Sequence, residues 1–222
     1  MGKRGPKPKG RVLLKWSSGL AYAVGLLVTD GSLSKDGRHI ILVSKEIEQL
    51  NNFSVALGCQ KFTLGRTKSG YTGQYIPRIQ FSDVLLYQFL LSIGLMPNKT
   101  KTIGEVLVPE EYFFDFLRGH YDGDGYFYSY YDPRWLSSFM YYIVFVSSSK
   151  QHIDWIRAQL KALIGVQGHI TQDKKKTVYS LKYAKKEGLK IMKKMYSDKD
   201  AVYLSRKKLK VIEALGKIGE QL

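Results

Sequence analysis

Two stretches decide how this chain folds: Leu20-Ala-Tyr-Ala-Val-Gly-Leu-Leu-Val-Thr-Asp-Gly31 and Tyr112-Phe-Phe-Asp-Phe-Leu-Arg-Gly-His-Tyr-Asp-Gly-Asp-Gly125. Each predicts a helix with a glycine in its last turns, Gly25 or Gly119, and Asp-Gly at the exit. The first is apolar on nearly every side, which predicts burial rather than a half-exposed face. A glycine inside a helix costs about 1 kcal/mol against alanine, so a compensating contact is expected. Close approach of another helix backbone supplies it. The two helices are therefore expected to pack on each other through Gly25 and Gly119. That packing would bring Asp30 and Asp124 together at one end of the pair. A helix C-terminus disfavours a carboxylate because the macrodipole is negative there, and two neighbouring carboxylates disfavour each other. Breaking the rule twice, at equivalent places, predicts a bound cation, and oxygen ligands suit Mg2+ or Ca2+.

Both stretches resemble the LAGLIDADG motif of homing endonucleases. Gly25-Leu-Leu-Val-Thr-Asp-Gly31 matches its second half, with Val28 where the motif has its first Asp. Gly119-His-Tyr-Asp-Gly-Asp-Gly125 keeps both acids, Asp122 and Asp124; Arg118 and His120 depart at tolerant positions. The resemblance places the catalytic acids at Asp30 and Asp124. It implies that the backbone carbonyls of Thr29 and Gly123 help bind metal, and that Gln80 and Lys182 lie near the scissile phosphates. Lys45 and Ser148 fall at a further polar pocket position. It also implies Mg2+ as cofactor, with Ca2+ or Mn2+ able to occupy the same sites. Hydrolysis of one phosphodiester bond per DNA strand, leaving short 3′ overhangs, is the implied reaction.

Composition agrees with a polyanion partner. Over 222 residues the formal net charge is +16, beyond the roughly 2–8 that solubility needs. Hydrophobic content of 44% is ample for a core. No apolar run reaches about 18 residues and no signal peptide opens the chain, so no membrane partner is expected. The single Cys59 excludes an intrachain disulfide and a cysteine-based zinc site, and the four histidines are scattered. A reducing compartment is expected: cytoplasm, nucleoid or an organelle matrix.

Residues 1–11 form a basic, Pro/Gly-rich arm with no apolar periodicity, expected to add phosphate or minor-groove contacts. After Asp30 the pattern predicts a hairpin (32–35 and 38–43, turning at Asp36-Gly37), a helix (45–57), a second hairpin (61–64 and 75–81) and a third helix (83–93). The order then repeats. The motif helix is followed by a hairpin (126–146), a helix (149–163), a hairpin (168–172 and 177–183) and a helix (186–196), with an extra helix over 205–215. The offset between copies is 94 at the catalytic acids and 102 at the last strands, and the differences fall in hairpins, where length is tolerated. The fold class is thus α+β: two pseudo-symmetric αββαββα repeats, 12–103 and 104–222, forming a saddle of two antiparallel sheets.

One face of each sheet should be open, and such a ribbon can enter the major groove. Outward candidates are Lys35, Arg38, Lys61, Arg66, Lys68, Gln74, Arg78 and Gln80 in the first repeat. In the second they are Tyr128, Tyr130, Arg134, His169, Thr171, Gln172, Lys174, Lys176 and Lys182. This mixture suits phosphates and base edges. The expected partner is a double-stranded DNA target site; two motifs in one chain imply a monomer without an obligate protein partner. Two rivals share the fold: a maturase that binds intron RNA, and a DNA-binding regulator without catalysis. Retention of both acids favours the nuclease.

Overall fold

Side chains alternate along the long strands between a buried and a less buried face, Val144 being the exception as a buried residue on the second face, and this alternation sets the layers. The first sheet buries Ile40, Leu42, Ile79 and Phe81; the second buries Phe127, Ile143, Phe145, Leu181 and Tyr183. The helices pack on that face of each sheet and the other face is open. The computed structural model describes residues 10–59, 62–69, 72–173 and 177–222. The arm up to residue 9, Lys61, Lys174 and Lys176 lie outside the described residues.

The first repeat runs α1 (Ser18–Thr29), β1 (Gly31–Leu33), β2 (His39–Val43), α2 (Ile47–Ala56), β3 (Leu64–Lys68), β4 (Tyr75–Ser82) and α3 (Val84–Ser92). The second runs α4 (Phe113–Gly123), β5 (Tyr126–Asp132), β6 (Trp135–Ser147), α5 (Lys150–Ile164), β7 (His169–Asp173), β8 (Val178–Ala184) and α6 (Lys185–Met195), and α7 (Ser205–Gly216) closes the chain. Each repeat makes a four-stranded antiparallel sheet, in the order β1-β2-β4-β3 and β5-β6-β8-β7. The α+β class and the duplicated plan are as the sequence predicts. No described helix is long and apolar enough to cross a membrane.

Local signals account for the boundaries. Ser17 caps α1 by accepting from the Leu20 N–H at 3.1 Å, and Asp83 caps α3 by accepting from the Leu86 N–H at 2.9 Å. Gly165 ends α5 in the left-handed conformation, at φ 67°. One strand departs from expectation. β3 lies at Leu64–Lys68, not over 61–64, because the chain reverses only after Ser69. Ser69 donates to the Gln74 carbonyl at 2.8 Å, and Lys68 therefore pairs with Tyr75. Gly65 is a strand residue opposite Arg78 rather than part of the turn.

The helices α1 and α4 cross at their glycines in the centre of the molecule. A Cβ on Gly25 would lie 2.2 Å from the Phe116 carbonyl oxygen, and one on Gly119 would lie 2.1 Å from that of Tyr22. No side chain fits there, so the backbones touch. Ser18 donates to Asp115 at 2.6 Å, and the Tyr22 hydroxyl donates to Asp122 at 2.8 Å, tying the helices together along their length. Arg118 is 2% exposed. It donates to the carbonyls of Met195 and Val202 and to Asp115, at 2.6, 2.9 and 2.7 Å, fixing the strap that leads to α7. α7 then reaches across to α2 of the first repeat. Asn52 donates to the Tyr203 carbonyl at 2.7 Å, Ser205 N–H donates to Glu48 at 3.0 Å, and Arg206 pairs with Glu46.

Candidate metal centre and nucleic-acid interface

Asp30 and Asp124 are the C-caps of α1 and α4. The close crossing of the helices brings their exits together: an Asp30 carboxylate oxygen lies 3.1 Å from where a Cβ on Gly123 would stand, and the Thr29 hydroxyl occupies that space more closely still. Only glycine at position 123 lets the first exit nest against the second. Burial, and next the charge of Asp124, push the Asp30 carboxyl up from 3.8 to about 6. Burial also pushes Asp124 up. Among the described residues the Asp30 carboxylate accepts one hydrogen bond, from the Gln49 amide at 2.7 Å, which Ser44 orients at 3.1 Å. Among the described residues none donates a hydrogen bond to the Asp124 carboxylate, and the charges of Lys207 and Lys99 offset its burial.

Those lysines hold equivalent places. Lys99 donates to the Gly31 carbonyl and Lys207 to that of Gly125 at 2.7 Å, each the residue after its motif aspartate. Both are buried, at 5% and 7% exposure. Lys207 also donates to the carbonyls of Tyr121, Asp122 and Gly123, at 2.6, 2.8 and 3.0 Å. It satisfies the unpaired end of α4 and opposes the helix dipole. Burial lowers each ammonium to about 8.

The donor set fits Mg2+ better than a fully protein-caged ion. Among the described residues no three His, Cys, Asp or Glu side chains converge on one point. Two facing carboxylates and backbone carbonyls are what the site offers. Mg2+ typically takes one or two carboxylates and completes its shell from water and substrate phosphates. The Gly123 carbonyl keeps one lone pair after Lys207 has taken the other.

Asp122, at the motif's first-acid position, has a different task. It is 1% exposed and joins the Tyr22 hydroxyl to the Leu204 N–H, each at 2.8 Å. Val28 replaces it in the first repeat.

The open sheet faces follow from the strand register. Gln80 ends the row Ser32–Ile41–Gln80, and Lys182 lies in the matching row Tyr126–Val144–Lys182–His169. Each row starts two residues after its aspartate. Arg78, Tyr128, Tyr130 and Thr171 share the open faces. Gln74, beside β4, is exposed, as are Lys35 and Arg38 in the first hairpin turn, where Arg38 lies 3.6 Å from Asp36. Arg134, in the turn of β5 and β6, is 3.4 Å from Asp132. Three residues are corrected. Arg66 and Lys68 pair with Pro77 and Tyr75, so they point to the helix side of the sheet edge. Gln172 pairs with Tyr179 and donates to its hydroxyl at 3.2 Å, also on the helix side. In each case the side-chain period of two, counted one residue off, reverses the face.

The sequence reading missed Gln49, Lys99 and Lys207. Gln49 is the one buried polar residue of α2, beside Leu50 and Phe53, while the apolar Ile47 is 45% exposed. The lysines sit in Lys-rich segments after the third helix of each repeat, where nothing local separates a buried lysine from a solvated one.

The family model described as LAGLIDADG-like domain matches residues 111–215. No curated protein matches the chain in sequence. Among solved structures, the homing endonuclease I-WcaI bound to its DNA recognition sequence superposes with a TM-score of 0.58, at 14% identity, over 88% of each chain. I-DmoI in complex with DNA and Mn gives 0.53 at 18% identity, over 82% of this chain and 98% of that one. Full-length DUF199/WhiA from Thermatoga maritima gives 0.53 at 14% identity, over 95% of this chain and 64% of that one. These identities speak to fold alone. Residues 111–215 are thus similar in sequence to the LAGLIDADG-like domain, and the chain as a whole has the LAGLIDADG fold.

Proposed function

We propose that this chain is a metal-dependent, site-specific endonuclease that cuts both strands of a double-stranded DNA target. One observation carries the reading: two carboxylates, Asp30 and Asp124, are placed side by side at equivalent helix ends, where burial raises both and the charge of Asp124 raises Asp30 further. The likeness to I-DmoI, solved with DNA and Mn, supports it.

Asp30 and Asp124, with the Thr29 and Gly123 carbonyls, would hold a divalent ion, which would supply Lewis acidity toward a scissile phosphate and its attacking water. The chain's own groups do the rest. Gln49 fixes the rotamer of Asp30. Lys99 and Lys207 hold two positive charges beside the carboxylates, where a phosphate must approach. Gln80 and Lys182 project from the open faces toward the backbone of bound DNA. The pseudo-twofold arrangement addresses one strand per repeat, and one chain supplies both motif helices, so the enzyme works as a monomer.

Cleavage of duplexes from a randomised library with Mg2+, repeated with Ca2+, tests the reading. Asp30→Asn and Asp124→Asn should each abolish double-strand cleavage, by more than about 1000-fold, while DNA affinity changes little. Undiminished cleavage by both variants would remove the carboxylates from the reaction. Binding without cleavage in the unmodified chain would favour the regulator alternative.

A further inference from the structure

The two open sheet faces are built on one plan but carry different chemistry. Strand register matches them residue for residue. In the first repeat the positions beside the metal centre are Ser32, Ser34 and His39, with Ser34 donating to the His39 carbonyl at 3.0 Å. In the second repeat the same positions hold Tyr126, Tyr128 and Tyr142. Tyr130 extends the set one step further along β5.

These four rings form a comb. Tyr128 and Tyr142 stack with centroids 4.9 Å apart and planes at 12°. Tyr126 and Tyr130 flank Tyr128 at 6.0 and 6.3 Å, and Tyr130 lies 6.3 Å from Tyr142. Tyr126 and Tyr130 are each 42% exposed. Between the comb and Lys182 lies Val144, which is fully buried yet is not part of the core formed by the other face. Met140 and Val146 continue the apolar surface along β6.

Common function does not require this difference, because the first repeat fills the same positions with small polar groups and histidine. Stacked rings are immobilised before binding, so contact with them orders little that was free. In the major groove the one apolar group that a base edge presents is the C5-methyl of thymine. We propose that the tyrosine comb of the second repeat recognises thymine methyl groups, so that this half of the DNA target is read by apolar contact and the other half by hydrogen bonds. The proposal rests on the DNA-binding reading above and names what one half of that target contains.

The test begins with the bound sequence selected from a randomised duplex library. Deoxyuridine then replaces thymine, which removes only the methyl, first throughout one half-site and then the other. The expected result is a loss of about fourfold in affinity for each methyl contacted, in one half-site alone. Tyr126→Ser, Tyr128→Ser and Tyr142→His together, which install the first repeat's residues, should erase that penalty and leave the other half-site unchanged. Tyr128→Phe keeps the stack and should keep the penalty. Equal penalties in both halves, or none, would overturn the proposal. So would a triple variant that retains the penalty, one that weakens thymine and deoxyuridine duplexes alike, as a merely structural cover would, or a penalty that disappears in Tyr128→Phe, which would assign the contact to the hydroxyl. If no duplex is bound above background, the DNA-binding reading itself falls, a result distinct from binding without methyl dependence.

Discussion

Burial and the neighbouring charge of Asp124 raise the Asp30 carboxyl from 3.8 to about 6, so near neutral pH the folded chain carries this anion at a cost. The folded state binds the proton more tightly than the unfolded one, so this contribution to stability falls as pH rises from about 4 to about 6. Asp122, also raised to about 6 and chiefly by burial, acts in the same direction. His152 acts oppositely: burial lowers it from 6.5 to about 4, so the unfolded chain takes up the proton first and stability is lost as pH falls through that window. Asp30→Asn removes one compensating group. It should raise the stability of the metal-free protein at neutral pH by about 1–2 kcal/mol and steepen its loss between pH 6 and 4. Excess Mg2+ should raise the melting temperature of the unmodified chain and not of the variant. Urea titrations across pH check the first pair of outcomes, and thermal melts with and without the ion check the second. An Asp30 that merely made a turn would show neither the gain nor the lost response. The aspartates were legible in sequence because an acid in the wrong half of a helix dipole is conspicuous twice over. Lys99 and Lys207 were not, because their partners are backbone carbonyls far along the chain, and a carbonyl leaves no mark on composition.

At the scale of elements, the α1–α4 crossing sets the geometry of the centre. Gly25 and Gly119 each face a carbonyl oxygen at little more than 2 Å from any added Cβ, 2.2 and 2.1 Å respectively. Backbone cannot swing away as the end of a side chain can, so an alanine must push the helices apart. Gly25→Ala or Gly119→Ala should destabilise by at least about 2 kcal/mol and disrupt cleavage as well, because the aspartates move with their helices. Gly65→Ala is the control: its Cβ would meet Arg78 at ordinary contact distance, side-chain atoms at 3.6 and 3.7 Å and the carbonyl oxygen at 4.0 Å, on an exposed edge strand. Chemical denaturation of the three variants decides the matter. These helices were readable because each glycine needed a reason in an otherwise strong helix. The edge strand β3 was not: its apolar content is slight, and its position is fixed by where the Ser69–Gln74 turn closes, so the faces assigned to Arg66 and Lys68 were reversed.

Over the whole molecule, the formal charge of +16 is set against a fold that leaves two sheet faces open in equivalent positions. Not all of that charge is on the saddle: Lys99 and Lys207 are buried, and α6 and α7 carry exposed lysines on the helical side. The cations that meet phosphate are counted by salt dependence, since each neutralised phosphate contributes about −0.9 to the slope of log affinity against log salt. The segment 1–9 holds Lys3, Arg4, Lys7 and Lys9. It joins the folded chain at Arg11, whose N–H donates to Asp83 at 2.6 Å. Arg11 lines one cleft with His39, Arg78 and Gln80 on the open side of the first sheet. The attachment point thus lies on the open side of the first sheet, the face proposed to meet DNA. Removing residues 1–9 should therefore make the slope shallower by about 3–4 and weaken binding most at low salt, without changing which sequence is selected. Fluorescence anisotropy over a salt series, on the selected duplex and an unrelated one, measures both effects. A slope unchanged by the truncation would show that these four cations stay in solvent, and that the phosphate contacts come from the folded repeats alone.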